Sequence, residues 1–175
     1  AMDCKFPGLD LHNILFSGNY EEEFRFLFDV KEVYHDPTVY LFISSKKVQS
    51  DAPGNGENWF AMINVPENIG QDWDRFIEIS REHIISKINR MLGVDVMPHI
   101  LKEFIADPRS IEKNTLSYRG SLYGNNSNSK RAAFSRHPNF LRKLKGLYFV
   151  GGSVHPGGGI PLCLASAKIV NQYIK

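Results

Sequence analysis

Between two apolar runs near the end of the chain stands Gly151-Gly152-Ser153-Val154-His155-Pro156-Gly157-Gly158-Gly159-Ile160-Pro161, the segment whose residue types could do chemistry. Leu147 to Val150 before it reads as a short buried strand, and a helix is expected to begin near Ile160. Pro161 suits a first helical turn, where a missing N–H costs little, and Leu162, Leu164, Ala165, Ile169, Val170 and Ile174 make that helix largely apolar. No Ser, Thr, Asp or Asn caps its start. Its first amides and the positive end of its dipole would then favour an anionic or electron-rich ligand. Gly157, Gly158 and Gly159 permit positive φ and close approach of the main chain to such a ligand, although a tight turn alone would also use them.

The other chemistry-bearing residues are less organised. His155 is a candidate acid or base because imidazole titrates near neutrality, and a purely positional role is the competing reading. His12, His35, His83, His99 and His137 show no ligand spacing, nor do Cys4 and Cys163, so no metal site is expected. P-loop, nucleophile-elbow and Cys-His patterns are absent, which argues against nucleotide hydrolysis and acyl transfer. No catalytic residue beyond His155 is nominated.

Elements that could position this segment follow from periodicity. Leu11 to Ser17 reads as a strand. Asn19 is placed to cap a helix with Glu22 at its third position and Phe24, Leu27 and Phe28 on its apolar face. Val39 to Ser44 and Trp59 to Val65 read as an antiparallel pair around an exposed loop, Ser50 to Asn58. Asp72 to Leu92 carries the clearest helical stripe, ended by Gly93. His99 to Ala106 is expected as a strand, Asp107-Pro108 as the start of a short helix through Leu116, and 120–131 as a polar loop. Together these predict an α+β fold on a mainly antiparallel sheet.

A chain of 175 residues, 42% hydrophobic, can enclose a real core. Its net charge of +2 conceals a division: all 19 acidic residues lie at or before Glu112, and the rest of the chain carries only bases. Lys130, Arg131, Arg136, Arg142, Lys143 and Lys145 are the densest group. Such asymmetry implies an anionic partner or a solvated face balancing acidic regions of the same protein. No apolar run reaches membrane-spanning length.

The string Val150-Gly151 followed by His155-Pro156-Gly157-Gly158-Gly159-Ile160-Pro161 resembles the carboxy-terminal end of the bacterial-type phytoene and carotenoid desaturases. Gly120-Ser-Leu-Tyr-Gly124, Ala133-Phe-Ser-Arg-His-Pro138, Asp36-Pro-Thr-Val-Tyr40, Ala52-Pro-Gly54 and Leu11-His-Asn-Ile-Leu-Phe-Ser17 resemble further landmarks of that family in order, so the likeness runs along nearly the whole chain. It implies an FAD-dependent oxidoreductase that desaturates or saturates carbon–carbon bonds of a carotenoid or related isoprenoid. It also implies that residues 1–129 are part of a substrate domain and that residues 130–175 complete the FAD-binding domain. Gly151, Gly152 and Ser153 would lie along the ribityl and pyrophosphate groups, and Gly157 to Pro161, behind His155 and Pro156, beneath the isoalloxazine edge. Many related flavoproteins carry an acid where Ser153 stands.

The family's G-x-G-x-x-G turn is not found in these residues, and the opening Ala1-Met2 looks like a cloning scar. A fragment is therefore expected, inactive and poor in FAD by itself. The expected partners are the polyene, a membrane surface and, for the fragment, a second copy; the expected location is cytoplasmic and peripheral to the membrane. A different class remains open: a non-enzymatic module whose basic tail engages nucleic acid or acidic lipid. Tyr118, Tyr123, Phe134, Phe140, Tyr148 and Phe149 do interleave with bases, but no recognised nucleic-acid motif accompanies them, so no nucleic-acid partner is expected.

Overall fold

The computed structural model describes residues 1–123 and 136–174, which form two compact units, Ala1–Asp107 and Pro108 onward. Lys130, Arg131 and Phe134, most of the 120–131 loop and the 129/130 boundary lie outside the described residues. The first unit holds a three-stranded antiparallel sheet in the order β1 (His12–Leu15), β2 (Val39–Phe42), β3 (Phe60–Ile63). Its register aligns Leu15, Val39 and Ile63 on one face and Ile14, Tyr40 and Met62 on the other. Period-two alternation sends Val39 and Leu41 fully into the core, where Met2, Phe6, Leu9, Ile43, Ile88 and Val96 join Leu41.

The opposite face stays open. Ile14, Phe60 and Met62 are exposed, and the His12 ring stacks on Tyr40 and Phe42 with centroids 6.1 and 5.1 Å away. Beside the sheet runs α1 (Tyr20–Arg25), whose cap forms as its sequence requires: the Asn19 side chain accepts from the Glu22 amide. A single wider turn, Phe26–Val30, extends it and ends at Lys31, which adopts a left-handed φ of 64°. Glu23, fully buried, accepts from both the amide and the hydroxyl of Thr38, anchoring this helix to the start of β2.

The long helix α2 spans Trp73–Leu92, with Asp72 accepting from the Arg75 amide at one end and Gly93 at φ 69° at the other. Those two residues set its bounds in sequence and in structure alike. Ile88 enters the core, and its neighbour Lys87, also buried, donates to the carbonyls of Phe16 and Pro37 and pairs with Asp36 at 2.8 Å. None of the helices among the described residues is long and apolar enough to cross a membrane.

Asp36 makes this arrangement sensitive to acid. Desolvation pushes its pKa up. The hydrogen bond from Lys87, the Gly18 amide and the charges of Lys87 and Arg90 together outweigh that effect and hold it below the ordinary carboxylate value of 3.8. A depressed folded-state pKa contributes stability that is present above the unfolded value and lost as pH falls through the folded one. Asp36→Asn is therefore expected to lower the melting temperature at neutral pH, with the gap from the parent protein closing below about pH 3.8. Thermal melts of both proteins across that range measure it, and a gap that does not change with pH would contradict it.

Three expectations need correction. His99–Ala106 is not a strand. Met97–His99 is a short tight turn, Ile100 makes one isolated bridge to Met2, and the chain beyond carries exposed Leu101 and Phe104. The loop between β2 and β3 is not simply exposed, for Ala52, Gly56 and Glu57 are buried in it. Leu147–Val150 is not a buried strand: Tyr148 bridges Phe140 once, and Leu147 and Val150 are exposed. An apolar run becomes a strand only when another backbone offers it donors and acceptors, and the described part of the second unit supplies one bridge here.

Candidate functional site

The second unit contains α3 (Pro108–Thr115) and α4 (Ile160–Asn171). As its sequence predicts, α4 starts at Ile160 after Gly159, with Pro161 in the first turn and no side-chain cap. Gly159 needs its lack of a Cβ, since its φ is 97°. The first intrahelical bond runs from the Cys163 amide to the Gly159 carbonyl, leaving the amides ahead of it to other partners. Ile160 and Leu164 are exposed, so much of this apolar helix is uncovered in the unit as it stands.

One buried amide organises the segment. Asn139, 3% exposed, accepts from the Phe149 amide through its main-chain carbonyl, while its side-chain nitrogen shares two N–H bonds among the Phe149 carbonyl, the His155 carbonyl and the Ser166 hydroxyl at 3.1, 2.8 and 2.8 Å. Ser166, fully buried on α4, also accepts from the Gly151 amide at 3.2 Å. A parallel bridge pairs His137 with Val154, and the His155 amide donates to the His137 carbonyl. The turn is thus held at Gly151 and His155 by Asn139 and Ser166, two residues that reading by motif passes over. Ser166 did leave a signal, as a polar side chain inside an apolar helix whose hydroxyl must find a partner once buried.

Of the expected site residues, Gly151, Gly152, Ser153, His155, Pro156, Gly157, Gly158, Gly159, Ile160 and Pro161 all fall on this one turn and helix start. Gly151 and Gly159 have positive φ, and a Cβ added at either would meet nothing within 4 Å. On the other side the turn is walled. A Cβ at Gly158 would run into the Tyr123 ring, and one at Gly157 would meet the Arg136 guanidinium at 2.8 Å. Arg136 therefore brings a fixed positive charge to the glycines, on the same side of the electrostatic balance as the uncapped amides.

His155 takes part through its backbone, and the peptide between it and Pro156 is cis. Of the basic residues singled out above, Arg142, Lys143 and Lys145 are exposed on the turn that also exposes Leu144. In the first unit the fold assembles a second group that sequence spacing hides: Asp3, Cys4 and His99 bring one donor atom each to within 4.8 Å of one another. Asp3 and His99 are separated by 96 positions, so no local motif could announce them.

No family model matches the chain. Among characterised proteins, it is 57% identical over 169 residues to the 1-hydroxycarotenoid 3,4-desaturase of Flavobacterium sp. (strain P99-3), an alignment covering 97% of this chain and 35% of that protein. It is 34% identical over 176 residues to the 4,4'-diaponeurosporene oxygenase of Staphylococcus aureus (strain MSSA476), covering 98% of this chain and 35% of the relative. The enzyme of the same name from strain USA300 matches to the same extent. The chain thus spans about a third of the length of the curated relatives it matches. With the likeness continuous from end to end and passing through the glycine turn, the chain belongs to the carotenoid desaturase family, as a counterpart of about a third of its members' length.

Proposed function

We propose that this chain acts as part of an FAD-dependent oxidoreductase that forms or removes carbon–carbon double bonds in a carotenoid, with a hydroxylated carotenoid as the favoured substrate. One observation carries the reading: 57% identity along 97% of the chain to an enzyme named for 3,4-desaturation of 1-hydroxycarotenoids. The turn suits a flavin in its own right. It offers uncapped amides at the start of α4, glycines open to space at 151 and 159, and the Arg136 guanidinium alongside.

In this reading Gly151, Gly152 and Ser153 follow the ribityl and phosphate groups, and His155 to Pro161 line the ring edge. A bound flavin would supply the oxidising power, as the two-electron acceptor that removal of two hydrogens from the substrate requires. The residues of the chain bind and orient. Amides at the start of α4, with its dipole, would stabilise negative charge on the ring, and Asn139 and Ser166 hold the turn that precedes them at Gly151 and His155. Residues 130–175 belong to the flavin-binding part, and residues 1–129 to the part that meets the polyene. The open sheet face of Ile14, Tyr40, Phe42, Phe60 and Met62 supports the latter, being apolar and aromatic where a long hydrocarbon would need it. A location at the cytoplasmic membrane surface fits exposed Leu144 set among Arg142, Lys143 and Lys145.

Produced within a polypeptide of the relatives' full length, the chain is expected to purify yellow, with one FAD per polypeptide, and to convert a 1-hydroxylated carotenoid to a product with one more double bond. Residues 1–175 alone are expected to be colourless. Absorption spectra and chromatography of the extracted pigment test both. A colourless full-length protein without turnover would overturn the reading.

A further inference from the structure

From the convergence of Asp3, Cys4 and His99 we infer a binding site for a divalent transition metal ion, of the zinc or cobalt type, that shares no residue with the glycine turn. The three donors are a carboxylate oxygen, a sulfur and an imidazole nitrogen, all within 4.8 Å of one another, and no other group of three or more such side chains converges in this way among the described residues. Around a tetrahedral ion with metal–sulfur and metal–nitrogen bonds of ordinary length, donor atoms stand about 3.5 Å apart, so closure requires shifts of about 1 Å. The mixture of a soft thiolate with imidazole selects zinc or cobalt over magnesium or calcium.

The backbone preorganises these side chains. The Asp3 amide donates to the His99 carbonyl at 3.0 Å, Met2 bridges both Glu57 and Ile100, and the Leu101 amide donates to the Ala1 carbonyl. Met2 lies in the core between them, 3% exposed, so the Asp3-Cys4 segment is pinned against the turn that carries His99. The His99 ring is further oriented by Phe6, edge-on with centroids 5.6 Å apart.

At present Asp3 and His99 share a hydrogen bond of 2.9 Å through Nδ1 of the ring. A cation would take the place of the proton between them, and Cys4 would release its thiol proton to solvent, leaving a thiolate ligand. A nucleophilic cysteine is the poorer interpretation of the same triad. Desolvation first, and then Asp3, hold the thiol above its ordinary range, the opposite of what a nucleophile needs and what a bound cation reverses. With three protein ligands and the side chains of Asp3 and His99 about half exposed, the fourth position opens to water or a further ligand. The ion would staple the start of the chain to the 97–100 turn.

Titration of the metal-free 175-residue protein with Co²⁺ alone tests this. One equivalent is expected to produce an intense near-ultraviolet sulfur-to-cobalt band that Zn²⁺ abolishes, and Zn²⁺ is expected to raise the melting temperature of the first unit. Cys4→Ala should remove the band, Asp3→Asn and His99→Gln should each weaken binding about tenfold or more, and Cys163→Ala should leave it unchanged. Should Cys4→Ala not fold, Cys4→Ser serves in its place, with circular dichroism as the check on folding. Absence of the band, or its survival without Cys4 or disappearance without Cys163, would overturn the site. No flavin is needed, so the outcome is independent of the carotenoid reading.

Discussion

Replacing Asn139 by alanine is expected to destabilise the unit that begins at Pro108 by about 3 kcal/mol, because it removes a buried amide nitrogen whose two N–H bonds are shared among two main-chain carbonyls and a hydroxyl. The Phe149 and His155 carbonyls and the Ser166 hydroxyl all take hydrogen bonds from its side-chain nitrogen, inside a region where Asn139 and Ser166 are almost wholly buried. The two carbonyls lose that donor at a cost on the order of 1–3 kcal/mol each away from water, whereas the Ser166 hydroxyl keeps the Gly151 amide. Asn139→Asp gives the sharper test. It keeps the volume, but at neutral pH replaces the amide's donors with a buried charged acceptor facing two carbonyls, with only the Ser166 hydroxyl able to turn and donate to it, so it should be at least as damaging as alanine. Amide hydrogen exchange at Phe149, Gly151 and His155, with urea unfolding, reads the effect locally and globally. Protection unchanged in either variant would mean that Asn139 does not hold the turn. In the full-length protein the same variants are expected to lose flavin, since the turn they loosen is the one proposed to carry it.

Glu57→Ala is expected to be comparably harmful in the first unit, by about 3–5 kcal/mol, because it breaks a buried ion pair from one side. Glu57 is 2% exposed. One carboxylate oxygen accepts from the Phe6 amide at 3.1 Å and meets the Lys46 ammonium at 2.6 Å, and the other accepts from the Trp59 indole at 2.8 Å. Alanine strands the Phe6 amide and the Trp59 indole, and leaves the Lys46 ammonium with the Phe6 carbonyl at 2.7 Å but no counter-charge. Substituting both charges, Lys46→Met with Glu57→Leu, should recover part of the loss by removing the unpaired cation, but not all, since the Phe6 amide and the Trp59 indole remain without acceptors. Urea unfolding followed by tryptophan fluorescence compares the three proteins. Equal stability of Glu57→Ala and the parent would refute a structural role for the pair.

Where a local rule was strong, sequence and structure coincide. Asp72 and Gly93 bound α2 because a capping carboxylate and a left-handed glycine act on their own backbone neighbourhood, whatever lies around them. The bare start of α4 was legible for the same reason, as was the cap that Asn19 provides to α1. Leu147–Val150 and His99–Ala106 were misread because apolar composition measures what a segment would gain by burial and does not supply a pairing partner. Glu57 was concealed by its setting, a polar glycine-bearing loop that looks exposed until its carboxylate is seen to satisfy the Phe6 amide and the Lys46 ammonium as well as the neighbouring Trp59 indole.

By itself, then, the sequence determined the local elements with their caps, the glycine turn before an uncapped helix, the division of charge and, through the order of its landmarks, kinship with the carotenoid desaturases. Only the tertiary structure decided that Asn139 and Ser166 grip that turn, that Glu57 and Lys46 pair in the interior, and that Asp3 and Cys4 meet His99. The physical reason is range. Capping, turn geometry and helical periodicity act over a few residues, whereas a buried polar group is satisfied by whichever donor or acceptor the folded chain brings to it, at a separation that no motif records.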